Sequence, residues 1–184
     1  MEHKKINGLH YHSKILSKDF QKELLNFLEN TKDWFSVMKN NPKSRQVLHY
    51  GYSYNYRAKN IHEKAPDMPE IILKLREKIR ELDHTEFNQC IVNRYLPGQG
   101  ISKHTDHYKY GPVICCFTIG SGGTMTFSLE DKKEDVYTEK GSLYIMQGDA
   151  REKWKHEMST QKMDYYDGKL RKRGIRYSLT FRMV

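Results

Sequence analysis

The sequence predicts an α+β chain built on a β-sandwich or barrel, a jelly roll with two helices backing one of its sheets. Two amphipathic helical stretches come early, and a series of short β-rich runs separated by turn signals follows them. No internal repeat or low-complexity block interrupts this order. In "SKDFQKELLNFLEN", Phe20, Leu24, Phe27 and Leu28 recur at helical spacing, and Ser17 stands where a hydroxyl can cap the first turn. In "MPEIILKLREKIREL", Ile72, Leu75, Ile79 and Leu82 recur on one face, with Pro69 at the entry, where a missing N–H costs nothing. Between these helices "RQVLHYGYSYNY" alternates and is rich in tyrosine, which suits an extended segment or a strand pair. The later runs "QCIVNRY", "VICCFTI", "MTFSL", "SLYIM", "KWKHEM" and "RYSLTFRM" read as strands, and "GSGG" as a hairpin turn.

A length of 184 residues suits one domain with a single core, so residues 1–184 are expected to form one unit. Lys and Arg number 32 against 23 Asp and Glu, a net charge of +9. Such a surface attracts anions and favours phosphate-rich partners, although a lysine-rich composition also yields basic proteins with no polyanion to bind. Cys90, Cys115 and Cys116 have no C-x-x-C spacing, and two of them are adjacent in an apolar run, which argues against disulfides and a thiolate zinc site. The opening "MEHKKINGLHYH" has no apolar targeting core, and "PVICCFTI" falls far short of the roughly 20 residues of a membrane span. A soluble intracellular protein of cytoplasm or nucleus is expected, monomeric and without a membrane partner.

The chemistry concentrates after residue 90. In "IVNRYLPGQGISKHTDH", His104 and Asp106 stand two apart, and in a strand that spacing points both side chains to one face. An imidazole nitrogen and a carboxylate oxygen suit Fe(II), Zn(II) or Mn(II), and a third ligand from elsewhere would leave coordination positions open. By itself the triplet is weak: with nine histidines in the chain, the plainer reading of the triplet alone is a surface histidine beside a turn. His156 in "KWKHEM" is the best third ligand available. In "RYSLTFR", Arg176, Ser178, Thr180 and Arg182 share one strand face, and Tyr177, Leu179 and Phe181 share the other. Arginines turned inward need an anion, which a small dicarboxylate would supply; the other reading is an edge strand with a solvated polar face. Asn93 and Tyr95 in "NRY" likewise fall on one face, just before the turn.

The order N-x-Y, P-G, H-x-D, distal His, R-x-S-x-T-x-R resembles the AlkB family of Fe(II)/2-oxoglutarate dioxygenases. The likeness is dense from Gln89 to Arg182 and looser from Arg45 to Tyr56. It implies a double-stranded β-helix over about residues 87–184, with Fe(II) held by His104, Asp106 and His156 and with 2-oxoglutarate and O₂ as co-substrates. It further implies that Arg176 pairs with the distal carboxylate of 2-oxoglutarate, that Asn93, Tyr95 and Ser178 touch the co-substrate, and that Arg182 lies near its iron-bound end. Ser178 replaces the asparagine of the bacterial repair enzyme and agrees with the tRNA-modifying animal homologue, whose ending is similar to "RGIRYSLTFR".

Substrate contacts are also implied. "HYGYSYNY" resembles the lid that grips nucleic acid in this family, here about residues 45–60, with Tyr52 and Tyr54 at its tyrosine positions. Tyrosines there could stack on bases or bond phosphates; an amphipathic strand covering the core is the plainer reading. Arg45 falls near the place of the bacterial base-stacking tryptophan, and Tyr108 takes that of a base-reading aspartate. "KLRKRG", residues 169–174, reads as a basic loop able to meet a phosphate backbone or simply to be solvated, and "STQKMDYYDG" before it shows no chemistry. The expected reaction is oxidative demethylation or hydroxylation of a modified base in single-stranded DNA, RNA or tRNA. A 2-oxoglutarate hydroxylase of protein or a small molecule shares the metal site, whereas a cupin-type binding module would carry H-x-H and lack the paired terminal arginines.

Overall fold

The computed structural model of the chain describes all residues except 39, 40 and 42. The elements run β1 (Leu9–His12), α1 (Lys18–Asn30), β2 (Phe35–Ser36), β3 (Gln46–Tyr50), β4 (Tyr52–Asn55), β5 (Asn60–Lys64), α2 (Glu70–Arg80), β6 (Gln89–Tyr95), β7 (Ile101–His104) and β8 (Ile114–Gly120). They continue with β9 (Gly123–Leu129), β10 (Lys132–Thr138), β11 (Leu143–Met146), α3 (Gly148–Glu152), β12 (Lys155–Met158), β13 (Met163–Tyr166), β14 (Lys169–Lys172) and β15 (Arg176–Arg182). A major sheet of order β1-β11-β8-β15-β6-β3-β2 faces a minor sheet of order β10-β9-β12-β7, and two hairpins, β4–β5 and β13–β14, stand apart from both.

Burial sorts by strand parity. Cys90, Val92, Cys115, Phe117, Tyr177, Leu179 and Phe181 turn to one face of the major sheet and pack on Leu24 and Leu28 of α1 and Ile72, Leu75 and Ile79 of α2. Each fully buried Leu or Ile here contributes about 1.5–3 kcal/mol relative to exposure. Ile114, Cys116, Tyr144 and Met146 turn the other way and meet Met125, Phe127 and Met158 of the minor sheet. Adjacent Cys115 and Cys116 thus serve opposite layers, which is why "VICCFT" is apolar at nearly every position: its strand is covered on both faces. Ser17 caps α1 by accepting from the Phe20 N–H, and the helices back one sheet of a jelly roll, as expected.

Several local readings are corrected. Leu82 lies beyond the end of α2 and is 44% exposed, because the helix stops at Arg80 with Glu81 as its C-cap. "GSGG" turns a corner between sheets and makes no hairpin: β8 already pairs with β11 and β15, so neither edge is free for β9. "RQVLHYGYSYNY" is no strand pair either, since β3 joins β6 in the major sheet while β4 pairs with β5. Gly51 separates the two at a positive φ of 78°, its Cα so close to the Asn88 carbonyl that a Cβ would collide with it. β15 is central and wholly buried, which removes the edge-strand reading of "RYSLTFR".

"KLRKRG" holds a strand, β14, and Arg173 behind it is unavailable to phosphate. Its Nε and Nη2 donate to Asp164 at 2.5 and 2.8 Å, and Nη1 donates to the Ser159 carbonyl at 2.6 Å. Both partners are buried, so Arg173→Ala would leave a carboxylate with no counter-charge. The expected cost is about 3–5 kcal/mol, read as a lower urea midpoint at unchanged slope. A shift within error of zero would show the pair to be dispensable.

Candidate functional site

Between the sheets lies a narrow polar cavity of about 40 Å³ lined by Asn93, Tyr95, His104, Asp106, His156, Arg176, Ser178 and Arg182 among others. It adjoins a wider cleft of about 660 Å³, with Asn93, His104, Asp106 and Arg182 on the shared wall. Every residue that the sequence associates with metal or co-substrate therefore falls in one place, because β6, β7, β12 and β15 turn their inner faces to this cavity and the loop after β7 brings in Asp106.

His104 is the last residue of β7 and His156 lies opposite it on β12, with ring centroids 4.4 Å apart. Asp106 stands beyond the strand end, so the same-face argument for the H-x-D spacing does not apply; a loop delivers the carboxylate. Its Oδ1 lies 3.7 Å from His104 Nε2 and 3.9 Å from His156 Nε2, and one ligand atom from each residue lies within 4.8 Å of the others. His104 Nδ1 is 2.8 Å from the Ser102 carbonyl, which places its proton there and leaves Nε2 free to ligate. Burial pushes the His156 imidazole down to about 3, so it is neutral with a lone pair to offer. Burial acts to raise the Asp106 carboxyl, but the Arg182 guanidinium, whose Nε donates to Oδ2 at 3.0 Å, holds it well below the usual carboxylate range. One carboxylate and two imidazoles on a single triangle could hold a divalent transition metal with positions left open.

The loop that carries Asp106 is held by a residue the sequence reading missed. Arg151 of α3 is buried, and its guanidinium donates to the carbonyls of Asp106 at 3.3 Å, His107 at 2.8 Å, Tyr110 at 3.2 Å and Gly111 at 3.4 Å. "DAREKW" carries no pattern that would announce this role, because all four acceptors are backbone atoms some 40 residues earlier.

Deeper in the cavity Arg176 is 4% exposed, and among the described residues no carboxylate pairs with it. Its Nη2 donates to Thr118 Oγ1 at 3.0 Å and Thr138 Oγ1 at 3.3 Å, and its Nε is buried with no partner. A buried guanidinium in a neutral setting is costly, and this one is shaped for an anion. Thr118 and Thr138 had no signal beyond their strands. Asn93 Nδ2 reaches Ser178 Oγ at 3.5 Å, while its Oδ1 accepts from Arg45 Nε at 2.7 Å.

The wider cleft is lined by Tyr54, Tyr56, His107 and Tyr110, and by the cations Arg45, Arg57, Lys59 and Lys103. Arg45 lies over the Tyr56 ring at 5.5 Å, and the Tyr56 hydroxyl is 3.2 Å from His49 Nε2. His49 Nδ1 accepts from the Tyr54 N–H at 3.4 Å, so Nε2 carries the proton and donates to Tyr56. Burial first, then the charges of Arg182 and Arg45, push His49 down to about 4 and keep it neutral. Tyr56, Tyr110 and His107 were not picked out from the sequence. Conversely, Tyr52 lines neither cavity, although Tyr54 two positions on lines the cleft. Tyr108 also stands outside both, 80% exposed and stacked on His107 at 4.5 Å.

Residues 8–182 match the family model described as the 2OG-Fe(II) oxygenase superfamily. The tRNA (carboxymethyluridine(34)-5-O)-methyltransferase ALKBH8 of Macaca fascicularis is 32% identical over 204 residues, covering 96% of this chain and 30% of that protein. The uncharacterized protein L905 of Acanthamoeba polyphaga mimivirus is 31% identical over 189 residues, covering 98% of this chain and 87% of that one. The chain thus spans about 30% of the length of the ALKBH8 relative and most of the viral one. Among solved structures, OsALKBH1 superposes with a TM-score of 0.71 at 18% identity, covering 100% of this chain and 99% of that chain. A prolyl hydroxylase from Trichoplax adhaerens gives 0.66 at 15%, covering 96% and 83%. At such identities the structural likeness speaks to the fold alone. A match to the family model across nearly the whole length, joined to relatives that carry the AlkB name, shows that this chain belongs to the AlkB family of the 2OG-Fe(II) oxygenase superfamily.

Proposed function

We propose that the chain is an Fe(II)/2-oxoglutarate-dependent dioxygenase that hydroxylates or oxidatively demethylates a modified base presented by single-stranded or loop nucleic acid. The observation that carries this reading is the pairing of a buried anion-seeking arginine and an open His/Asp/His triangle with a cleft of aromatic rings and cations directly over them. The names of relatives point the same way, one a tRNA methyltransferase and another, of Arabidopsis thaliana, an alkylated DNA repair protein. Residues 45–60 act as the lid and 87–184 as the catalytic core of one unit.

His104, Asp106 and His156 would hold the metal. When bound, Fe(II) with 2-oxoglutarate and O₂ supplies an oxidant for a substrate C–H bond, the co-substrate leaving as succinate and CO₂. The chain itself positions and excludes. Arg176, seated by Thr118 and Thr138, grips the distal carboxylate, and Tyr95 packs against the guanidinium at 5.7 Å. Asn93 and Ser178 contribute an amide and a hydroxyl to the wall of the co-substrate cavity. Arg182 keeps the ligating carboxylate ionised and orients it, and Arg45 ties the lid to Asn93. Tyr54 and Tyr56 offer stacking faces for an extruded or unpaired base, and the cations around them suit its flanking phosphates.

The test is nucleic-acid-stimulated succinate release on methylated single-stranded DNA, methylated RNA and bulk tRNA. Stimulation by any of these supports the reading; turnover coupled only to a peptide or a small molecule would move the assignment to the protein or small-molecule hydroxylases. Within this assay Tyr54→Ala should lower turnover at subsaturating nucleic acid roughly five- to a hundredfold, the worth of one stacked base. Tyr52→Ala should leave it unchanged, its ring lying outside the cleft. Equal losses in both variants would remove Tyr54 as a stacking contact.

A further inference from the structure

We propose that the hairpin β13–β14 is a second nucleic-acid contact outside the cleft, a rigid arm that stacks an unpaired base on Tyr165 and pairs phosphates with the cations around it. This rests on the nucleic-acid reading above and adds a surface to it. Directly opposed cross-strand residues point to the same side. The register Met163↔Lys172, Asp164↔Arg171, Tyr165↔Leu170 and Tyr166↔Lys169 therefore divides the hairpin into two faces.

The inner face is anchored. Tyr166 stacks on Tyr137 of β10 with centroids 4.2 Å apart and planes 13° from parallel, and Arg171 lies over Tyr166 at 5.5 Å. Asp164 accepts from the Thr124 N–H of β9 at 3.2 Å and from Gln161 at 3.0 Å, besides its buried pairing with Arg173. An isolated two-stranded hairpin is marginal in water, so these contacts are what hold it.

The outer face is bare. Tyr165 is 72% exposed, Leu170 65% and Met163 37%, with Lys172 beside them. A tyrosine and a leucine paired across a strand and left in water form an apolar step on an anchored support, and such a step marks a binding surface. Charge selects the partner: Lys162, Lys169, Arg171 and Lys172 are exposed here against the single exposed carboxylate of Asp167. An aromatic face with Lys172 beside it, on a hairpin that carries three more exposed cations, fits a nucleic-acid strand, since every base offers a π-face and every nucleotide a phosphate. The arm also adjoins the cleft. Lys162 packs by the Gly98 turn that leads into β7, and β7 lines the cleft through Ile101, Ser102, Lys103 and His104. A strand with one base in the cleft can continue onto the hairpin.

The test uses the full chain and fluorescence anisotropy of a labelled unstructured RNA and of the same sequence as DNA, over a range of salt. Tyr165→Ala with Leu170→Ser should weaken binding roughly tenfold or more while keeping the salt slope. Lys162→Ala, Lys169→Ala and Lys172→Ala together should flatten the slope of log affinity against log salt by about 2. These positions are exposed, and an unchanged thermal midpoint checks that the fold is kept. If the wild-type chain binds neither oligonucleotide, the nucleic-acid reading and the arm both fall. If it binds and the hairpin variants bind equally well, only the arm falls. A wild-type dimer that Tyr165→Ala with Leu170→Ser converts to monomer would assign the outer face to a second copy and overturn the arm as well.

Discussion

Asp106→Asn is expected to abolish succinate release and to cut Mn(II) affinity by more than a hundredfold, while the protein stays folded. The carboxylate is the one anionic ligand of the proposed triangle, and an amide removes its charge but can still accept from Arg182. Asp106→Ala should lose turnover equally and, in addition, about 3–5 kcal/mol of stability, because Arg182 would be left buried without its counter-charge. His104→Ala and His156→Ala should each abolish turnover and weaken Mn(II) binding measured by titration calorimetry. Near-normal turnover in any of these variants would remove that residue from the triangle. The metal-free chain should show a matching pH dependence. Burial holds His156 at about 3, below its unfolded value, so its contribution is present above about pH 6.5 and is lost as pH falls toward 3. In His156→Ala that part of the acid destabilisation should vanish.

Arg176→Ala is expected to raise the 2-oxoglutarate concentration needed for half-maximal turnover about thirtyfold or more. Truncating one partner of a buried, hydrogen-bonded charge pair costs about 2–5 kcal/mol. The guanidinium here has two threonine hydroxyls as partners and a free Nε, but no carboxylate among the described residues, so its countercharge has to arrive with the co-substrate. Arg176→Lys should recover only part of the loss, since an ammonium cannot reproduce the planar fork. The effect should appear in the co-substrate requirement, with metal affinity kept. An unchanged requirement in Arg176→Ala would sink the assignment.

How far the site was legible follows from what each residue depends on. Arg176, Ser178 and Arg182 could be read because strand alternation is local: Tyr177, Leu179 and Phe181 announce the buried side, and the polar set must take the other. His104 and Asp106 were found together for a reason that fails locally, since β7 ends at His104. What joins them is Arg182 on β15 and Arg151 on α3, each tens of residues away. Tyr52 and Tyr54 look equivalent at i and i+2, yet Tyr54 lines the cleft and Tyr52 does not. "KLRKRG" looks like a uniform basic loop until Asp164 takes Arg173 into the interior.

By itself the sequence determined the two helices, the short-strand region, the parity of each central strand and the set of chemistries that the motifs can perform. All of these rest on period, capping and side-chain type within a few residues. The tertiary structure decided which strand joins which sheet, because pairing depends on which edges remain free: with both edges of β8 taken, "GSGG" had to become a corner. It likewise decided which charges are spent on each other and which are left to meet a ligand. Arg173 and Arg176 lie three residues apart in one basic stretch, yet the first is neutralised by Asp164 and the second has no carboxylate partner among the described residues, since burial and distance, absent from the sequence, set the cost of an unpaired charge.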